Sequence, residues 1–256
     1  MIVEFIGSSG AGKTTLIELL QRPGGTTAPV VSAADLIMDR PGRRWIHHPK
    51  AVNVVADVTV FPSFLRTLGR NGDFVRFAFH RLRRHAPSTF AKYNYMRQVV
   101  RDVGKHELAK RAGASATVLV DEGAVLTAYH LFVYSDAPFD RWDLERFAHL
   151  VPLPDRIVYV RAPVDVLVDR AIRRRDRRRE LVELGRDDVA RWIARAEEVF
   201  EGLAATHTLR DRTLTVDNGD GSSEARAAIV SRIAAFIHDR TPTDRTGRAP
   251  VSPGAP

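Results

Sequence analysis

Gly7-Ser8-Ser9-Gly10-Ala11-Gly12-Lys13-Thr14 decides the fold of this chain, because it meets the phosphate-binding pattern G-x-x-x-x-G-K-[ST] at every fixed position. Before it, Ile2, Val3, Phe5 and Ile6 make a short β-type apolar run, and after it Thr14-Thr15-Leu16-Ile17-Glu18-Leu19-Leu20 continues as a helix. Strand, glycine loop and helix together give the pattern its physical meaning. With no side chains in the way, backbone N–H groups turn inward around a chain of phosphates, and the helix N-terminus adds the positive end of its dipole. Gly7, Ser8, Ser9, Gly10, Ala11, Gly12, Lys13, Thr14 and Thr15 are therefore the nucleotide-binding candidates. Lys13 is placed to reach the β- and γ-phosphates as a point charge, and the Thr14 hydroxyl to ligate Mg²⁺. The chain is expected to bind a nucleoside triphosphate, with ATP and Mg²⁺ as cofactors.

Outward from the loop, strand signals are short and widely spaced: Ile2–Ile6, Pro29–Ser32, Thr117–Val120, Arg156–Val160 and Thr213–Val216. Helical patterns fill the gaps, which predicts an α/β fold, a parallel sheet with helices on both faces, in a domain spanning residues 1–240. Trp45–Lys110 reads as a helical insertion on the acceptor side, with apolar spacing in Val52-Val55-Val58 and Phe74-Phe77-Ala78. Pro62, Gly69, Gly72 and Pro87 are expected to divide it. Such an insertion would lie over the carboxyl ends of the strands, where α/β proteins bind ligands. Thr241–Pro256, rich in Pro, Gly and Thr without periodicity, reads as a disordered tail.

Three further segments bear on chemistry. Val118-Leu119-Val120-Asp121-Glu122-Gly123 is an apolar strand ending in two carboxylates. Asp121 is the candidate to hold Mg²⁺ with Thr14, and Glu122 the candidate general base toward an acceptor hydroxyl or water. Eight arginines fall between residues 161 and 179. They predict an arginine-rich lid over residues 170–186, in which Arg174 and Arg178 would stabilise the transferring group; these two with Lys13, Asp121 and Glu122 make up the catalytic candidates. A solvated basic face is the plainer reading of the same run. Leu214-Thr215-Val216-Asp217-Asn218-Gly219-Asp220-Gly221 leaves the last strand and turns before a helix over Glu224–His238, and would serve a nucleotide base through backbone groups. Within the insertion, Arg76, Arg81, Arg83, Arg84, Arg97 and Arg101 are interleaved with Phe74, Phe77, Phe79, Tyr93 and Tyr95. That mixture suits a flat, anionic acceptor and suits an ordinary amphipathic helix nearly as well. Arg97, Arg101 and Asp35 are the substrate-binding candidates. His80, His85 and His130 show no metal-ligand spacing and read as structural or surface groups.

Composition sets the outer bounds. A chain of 256 residues that is 44% hydrophobic can bury a substantial core. No apolar run approaches the roughly 20 residues that span a bilayer, and the first strand at the N-terminus leaves no room for a cleavable signal peptide. Cysteine is absent, so disulfides and thiolate metal sites are excluded and a cytoplasmic location is expected. The net charge is +8, yet of 39 Lys and Arg residues only Lys13, Lys50, Lys92, Lys105 and Lys110 are lysines. Arginine is the better residue for bidentate contact with phosphate or carboxylate, so nucleic acid is not implied by charge alone. A homodimer is compatible with this composition.

The chain resembles the thymidylate-kinase-like group of P-loop nucleoside and nucleotide kinases. The likeness is carried by GSSGAGKTT, by Tyr95-Met96-Arg97-Gln98 leading through a helix to VLVDEG, and by YVRAPVDVLVDRAIRRRDR through ARWIARAEEVF to the VDNGDG turn. By position, Arg97 matches that group's acceptor-binding arginine, Asp121 its carboxylate after the strand, and Arg170–Arg179 its lid. Where the group carries an Asp-Arg-Tyr type signature, this chain has Asp121-Glu122-Gly123. The resemblance implies a kinase fold and ATP use and leaves the acceptor open among nucleosides, nucleotides, sugars and antibiotic-like hydroxyl compounds. The expected enzyme is thus a small-molecule kinase. The alternatives are a P-loop ATPase, with Glu122 activating water, and an ATP-binding regulator without an acceptor.

Overall fold

The computed structural model describes residues 1–22, 30–38, 49–113, 116–133, 138–173 and 184–239. Five strands, β1 (Ile2–Ile6), β2 (Val30–Ser32), β3 (Thr117–Val120), β4 (Arg156–Arg161) and β5 (Thr213–Asp217), form one sheet in the order β2-β3-β1-β4-β5. Every pairing is parallel, with Val3 opposite both Leu119 and Arg156. The strands lie close to where the apolar runs predicted them. Parallel strands buried on both faces read as continuous apolar runs, which is why five short ones were visible in the sequence.

Alternate residues along the strands feed two cores. On one face Val3, Phe5, Val158 and Val160 pack against α1 (Lys13–Gln21), α6 (Val164–Arg173), part of α7 (Arg186–Ala204) and α9 (Ser223–His238). On the other, Ile6, Ile157 and Tyr159 pack against α3 (Pro49–His85), α4 (Thr89–Ala112), α5 (Arg141–Leu150) and the buried 125–133 stretch. Two short helices, α2 (Ala33–Met38) and α8 (His207–Arg210), complete the described elements. All strands point their carboxyl ends the same way. The loop after β1, the turn after β3 and the turn after β5 therefore meet at one edge.

The insertion departs from expectation. α3 runs unbroken through Pro62, Gly69 and Gly72, and only Pro87 falls at a break, between α3 and α4. Val60, Phe64, Thr67, Asn71, Phe74 and Ala78 are buried at alternating spacings of four and three, one continuous inner seam. A helix-interior proline costs about 3 kcal/mol and a glycine about 1 kcal/mol relative to alanine. Burying a large apolar side chain returns about 1.5–3 kcal/mol, and Val60, Phe64, Phe74 and Leu82 are all buried on this helix. Packing wins. Phe74 and Ala78 lie on this seam as expected, but nearer the start of the helix Val58 points outward, 65% exposed, in a second stripe with Val54, Phe61, Leu65 and Leu68.

The tail over 241–256 and most of the predicted lid, Arg174 and Arg178 included, lie outside the described residues.

Candidate functional site

The loop after β1 is shaped by glycines that nothing else can replace. Gly7 sits at φ 136°, and a Cβ there would come within 2.1 Å of the Val160 carbonyl oxygen on β4. Gly12 sits at φ 91°, where a Cβ would come within 2.5 Å of Asn218 Nδ2. Backbone of this kind is open to glycine and strained for other residues. α1 starts at Lys13 without a side-chain cap from Gly12, so its first N–H groups face the loop, the geometry that attracts phosphate. Lys13 Nζ donates to the carbonyl oxygens of Gly7 (2.8 Å) and Ser8 (3.2 Å), which folds the ammonium back over the loop.

The turn after β3 closes on this loop. Thr14 Oγ1 donates to Asp121 Oδ2 at 2.7 Å. The other carboxylate oxygen, Asp121 Oδ1, is buried without a hydrogen-bond partner among the described residues. A hydroxyl and an orphaned carboxylate oxygen side by side are hard donors of the kind that Mg²⁺ and its water take, so the residues present fit that cation. No cluster of three or more His, Asp or Glu able to hold a metal occurs among the described residues.

Beneath the turn lies a buried charged layer. Glu4, on β1, is fully enclosed; burial pushes its carboxyl up to about 8, while the Leu126 N–H that it accepts at 2.8 Å pulls the other way. Asp102 and Lys105 of α4 pair at 2.9 Å. Burial raises Asp102 to about 6 against the pull of Lys105. Burial lowers Lys105, but Asp102 and Glu122 hold it above its ordinary value. Glu122 is exposed at the cavity wall, within electrostatic reach of both.

A cavity of about 510 Å³ opens over these groups, lined by Ser9, Gly10, Gly12, Lys13, Thr14 and Thr15 of the loop, by Asp121 and Glu122, and by Arg170, Asn218 and Arg226. Arg170 belongs to the predicted lid, yet its guanidinium donates to the carbonyl oxygens of Asn218 (2.8 Å) and Gly219 (3.3 Å), bracing the last turn. Asn218 Nδ2 donates to the Ala11 carbonyl oxygen at 2.7 Å and so ties that turn to the loop. Behind the loop, Ser8 Oγ donates to the Glu197 carboxylate, which also accepts from Tyr159 OH at 2.9 Å. Burial holds Glu197 above its ordinary value against the Ser8 and Tyr159 hydrogen bonds. Asn218, Arg226 and Glu197 were missed in the sequence. Asn218 and Arg226 sit in and just after a Gly/Asp turn whose signals are those of any turn, and Glu197 sits on a helix that reads as amphipathic.

None of the predicted substrate-side residues, Arg97, Arg101 or Asp35, is among the groups lining the cavity. Arg97 Nε and Arg101 Nε both donate to Asp57 of α3, at 2.8 and 2.5 Å. Burial opposes ionisation of Asp57, but the two arginines hold its carboxyl below the ordinary range. Asp35 is engaged locally instead: it accepts from Gln21 Nε2 at 2.9 Å and from Ser32 N at 3.3 Å at the start of α2, and is not among the groups lining the cavity. Burial raises its carboxyl, and hydrogen bonds from Ser32 and Gln21 bring it below the usual value.

A family model described as AAA domain matches residues 2–199. The chain belongs to the AAA domain family. That assignment agrees with the P-loop NTPase fold seen in the parallel sheet and glycine loop of this AAA domain, and it does not single out the thymidylate-kinase-like group. No curated protein matches the sequence significantly. Among solved structures, shikimate kinase from Bacteroides thetaiotaomicron is similar over 93% of this chain and 98% of that one, at 13% identity and a TM-score of 0.45. Deoxyadenosine kinase from M. mycoides with bound dATP is similar over 91% of this chain and 99% of that one, at 14% identity and a TM-score of 0.48. At such identities and scores the similarity says nothing of what this AAA domain acts on. None of its described helices is long and apolar enough to cross a membrane.

Proposed function

We propose that the chain is an ATP-dependent phosphotransferase that moves the γ-phosphoryl group to a small-molecule acceptor. The observation that carries this reading is the Thr14–Asp121 contact at the mouth of the glycine loop, inside a cavity that also presents Glu122. Loop amides and Lys13 would cradle the triphosphate, Lys13 leaving the Gly7 and Ser8 carbonyls for the phosphates. Thr14 and Asp121 are the residues that would hold Mg²⁺, which when bound neutralises charge between the β- and γ-phosphates. The middle of α4 supplies the acceptor side, with Arg97 and Arg101 for an anionic group and Glu122 as base toward a hydroxyl. Lid arginines Arg174 and Arg178 would stabilise the transferring group. The cytoplasm is the proposed location.

ATP consumption with and without a panel of nucleosides, nucleotides, sugars and hydroxylated antibiotics tests this. Turnover that needs one acceptor class, and that Lys13→Ala abolishes while the fold survives, is expected. Full turnover without any acceptor, unchanged by the panel, would overturn the kinase in favour of an ATPase in which Glu122 activates water, a reading that the paired carboxylates after β3 also favour.

The homodimer finds support in the outward stripe of α3. Val54, Val58, Phe61, Leu65 and Leu68 follow the alternating four-three spacing by which one helix packs along another. A second copy of α3 is the proposed cover. Light scattering should give a dimer mass that Phe61→Glu with Leu65→Glu reduces to a monomer; a monomer mass for the unmodified chain at working concentrations would overturn it.

A further inference from the structure

The far end of α3 carries a second cavity, of about 680 Å³, that shares no lining residue with the nucleotide cavity. It lies between the last turns of α3 and the outer face of α5. Four arginines (Arg76, Arg81, Arg84 and Arg146) and three histidines face two aspartates across it. Both aspartates are already engaged. Asp73 pairs with Arg76 at 3.3 Å, and Asp143 pairs with Arg81 at 3.2 Å while closing the capping box of α5. Among the described residues no carboxylate pairs with Arg84 or Arg146, and the Arg146 guanidinium lies 5.5 Å from the Phe77 ring centroid.

The decisive group is Arg81. Its side chain is 8% exposed, an unusual depth for a permanent cation. Nε donates to the Leu131 carbonyl oxygen at 2.9 Å, and the guanidinium lies 4.2 Å from the Phe132 ring centroid. The remaining nitrogen, Nη2, is buried with no hydrogen-bond partner among the described residues. A buried charged donor left unmet is costly, and an anionic oxygen entering the cavity would offset that cost. Burial, then Arg81 and Arg84, push protonation of His85 below its ordinary range, with Asp143 opposing. With four arginines against two aspartates the cavity lining carries net positive charge, and Arg195 acts on Arg81 from α7 in the same sense.

We propose that this cavity is a second ligand site that takes a small molecule bearing phosphate. Its volume is that of small-molecule pockets, and guanidinium forks match phosphate oxygens in pairs. Phe77 and the ring of His80 offer flat faces beside the arginines. Nucleic acid is the weaker fit. A strand would ask for an extended basic track, whereas these arginines line one cavity together with a largely buried guanidinium. The site stands apart from the phosphotransfer reading, because its residues lie outside the cavity that holds Lys13, Thr14 and Asp121.

Inorganic pyrophosphate is the probe, applied to full-length protein carrying Lys13→Ala so that the glycine loop is weakened as a competitor. Ring resonances of His80, His85 and His149 should move together and saturate at millimolar pyrophosphate or below. Arg84→Ala with Arg146→Ala, both at exposed positions, should weaken that binding by about tenfold or more with the thermal unfolding curve unchanged. Histidine resonances that stay still, or that shift equally in the double variant, would overturn the proposal. So would a short single-stranded oligonucleotide that binds through Arg84 and Arg146 while pyrophosphate does not.

Discussion

Replacing Glu4 by glutamine should flatten the pH dependence of this protein's stability between about pH 5 and pH 8. Glu4 sits 1% exposed on β1 with its carboxylate against Gly123, where even a Cβ would approach within 2.5 Å. Burial lifts the carboxyl from its ordinary 4.5 to about 8; Asp102 adds to the lift, and the Leu126 N–H and Lys105 oppose it. In that window the folded chain holds a proton that the unfolded chain has released. The sign follows: the stabilisation is fully present below about 4.5 and is lost as pH rises through about 8. At 1.36 kcal/mol per pH unit the ceiling is about 5 kcal/mol, comparable with the whole stability of a small marginal domain, about 5–15 kcal/mol. His106, lowered to about 4 mainly by burial, works in the opposite direction, losing stability as pH falls from about 6.5. The wild-type profile alone is therefore composite, and the difference between variants is the measurement to make. Glutamine keeps an acceptor for the Leu126 N–H and has no charge to bury. Urea unfolding from about pH 5 to pH 9 should show Glu4→Gln gaining several kcal/mol on the parent as pH rises, over and above any constant offset. A difference independent of pH would refute the account of Glu4 as a neutral acid beneath the Asp121–Glu122 turn.

Two further outcomes follow from the geometry. Asn218→Ala removes the donor to the Ala11 carbonyl, worth about 1–3 kcal/mol where an acceptor is left unmet; calorimetry should show ATP affinity down by about tenfold, and unchanged affinity would detach the last turn from the loop. Asp57→Asn loosens the clamp on Arg97 and Arg101, so steady-state kinetics should show a lower KM for acceptors bearing phosphate or carboxylate and no gain for neutral ones; equal effects on both classes would remove these arginines from the acceptor side.

What the sequence made legible follows from the range of each interaction. The loop and its flanking strand and helix were readable because every part is local: glycines at fixed positions, an apolar run before, a helix after. The five strands were readable because burial on both faces of a parallel sheet leaves uninterrupted apolar runs. α3 was misread because its continuity is set by a partner: Gly69 and Gly72 break a helix by propensity, and α4 overrides them through the seam that includes Val60, Phe64 and Phe74. The site residues divide on the same line. Lys13, Thr14 and Asp121 announce themselves by motif and by strand end, while Asn218 and Glu197 matter only because β5 and α7 bring them to Ala11 and Ser8. The arginines of the insertion show the limit most clearly. In sequence they form one interleaved set, and in the fold that set divides: Arg97 and Arg101 turn to Asp57 near one end of α3, and Arg76, Arg81 and Arg84 line the cavity beside α5 at the other. Asp57 and Arg76 lie 19 residues apart on this unbroken helix, about 29 Å, more than three Debye lengths at physiological salt, where exposed charges stop sensing one another. The two groups therefore have no electrostatic reason to serve the same ligand. On the proposed reading Arg97 and Arg101 serve the acceptor, and the remote arginines serve a ligand of their own.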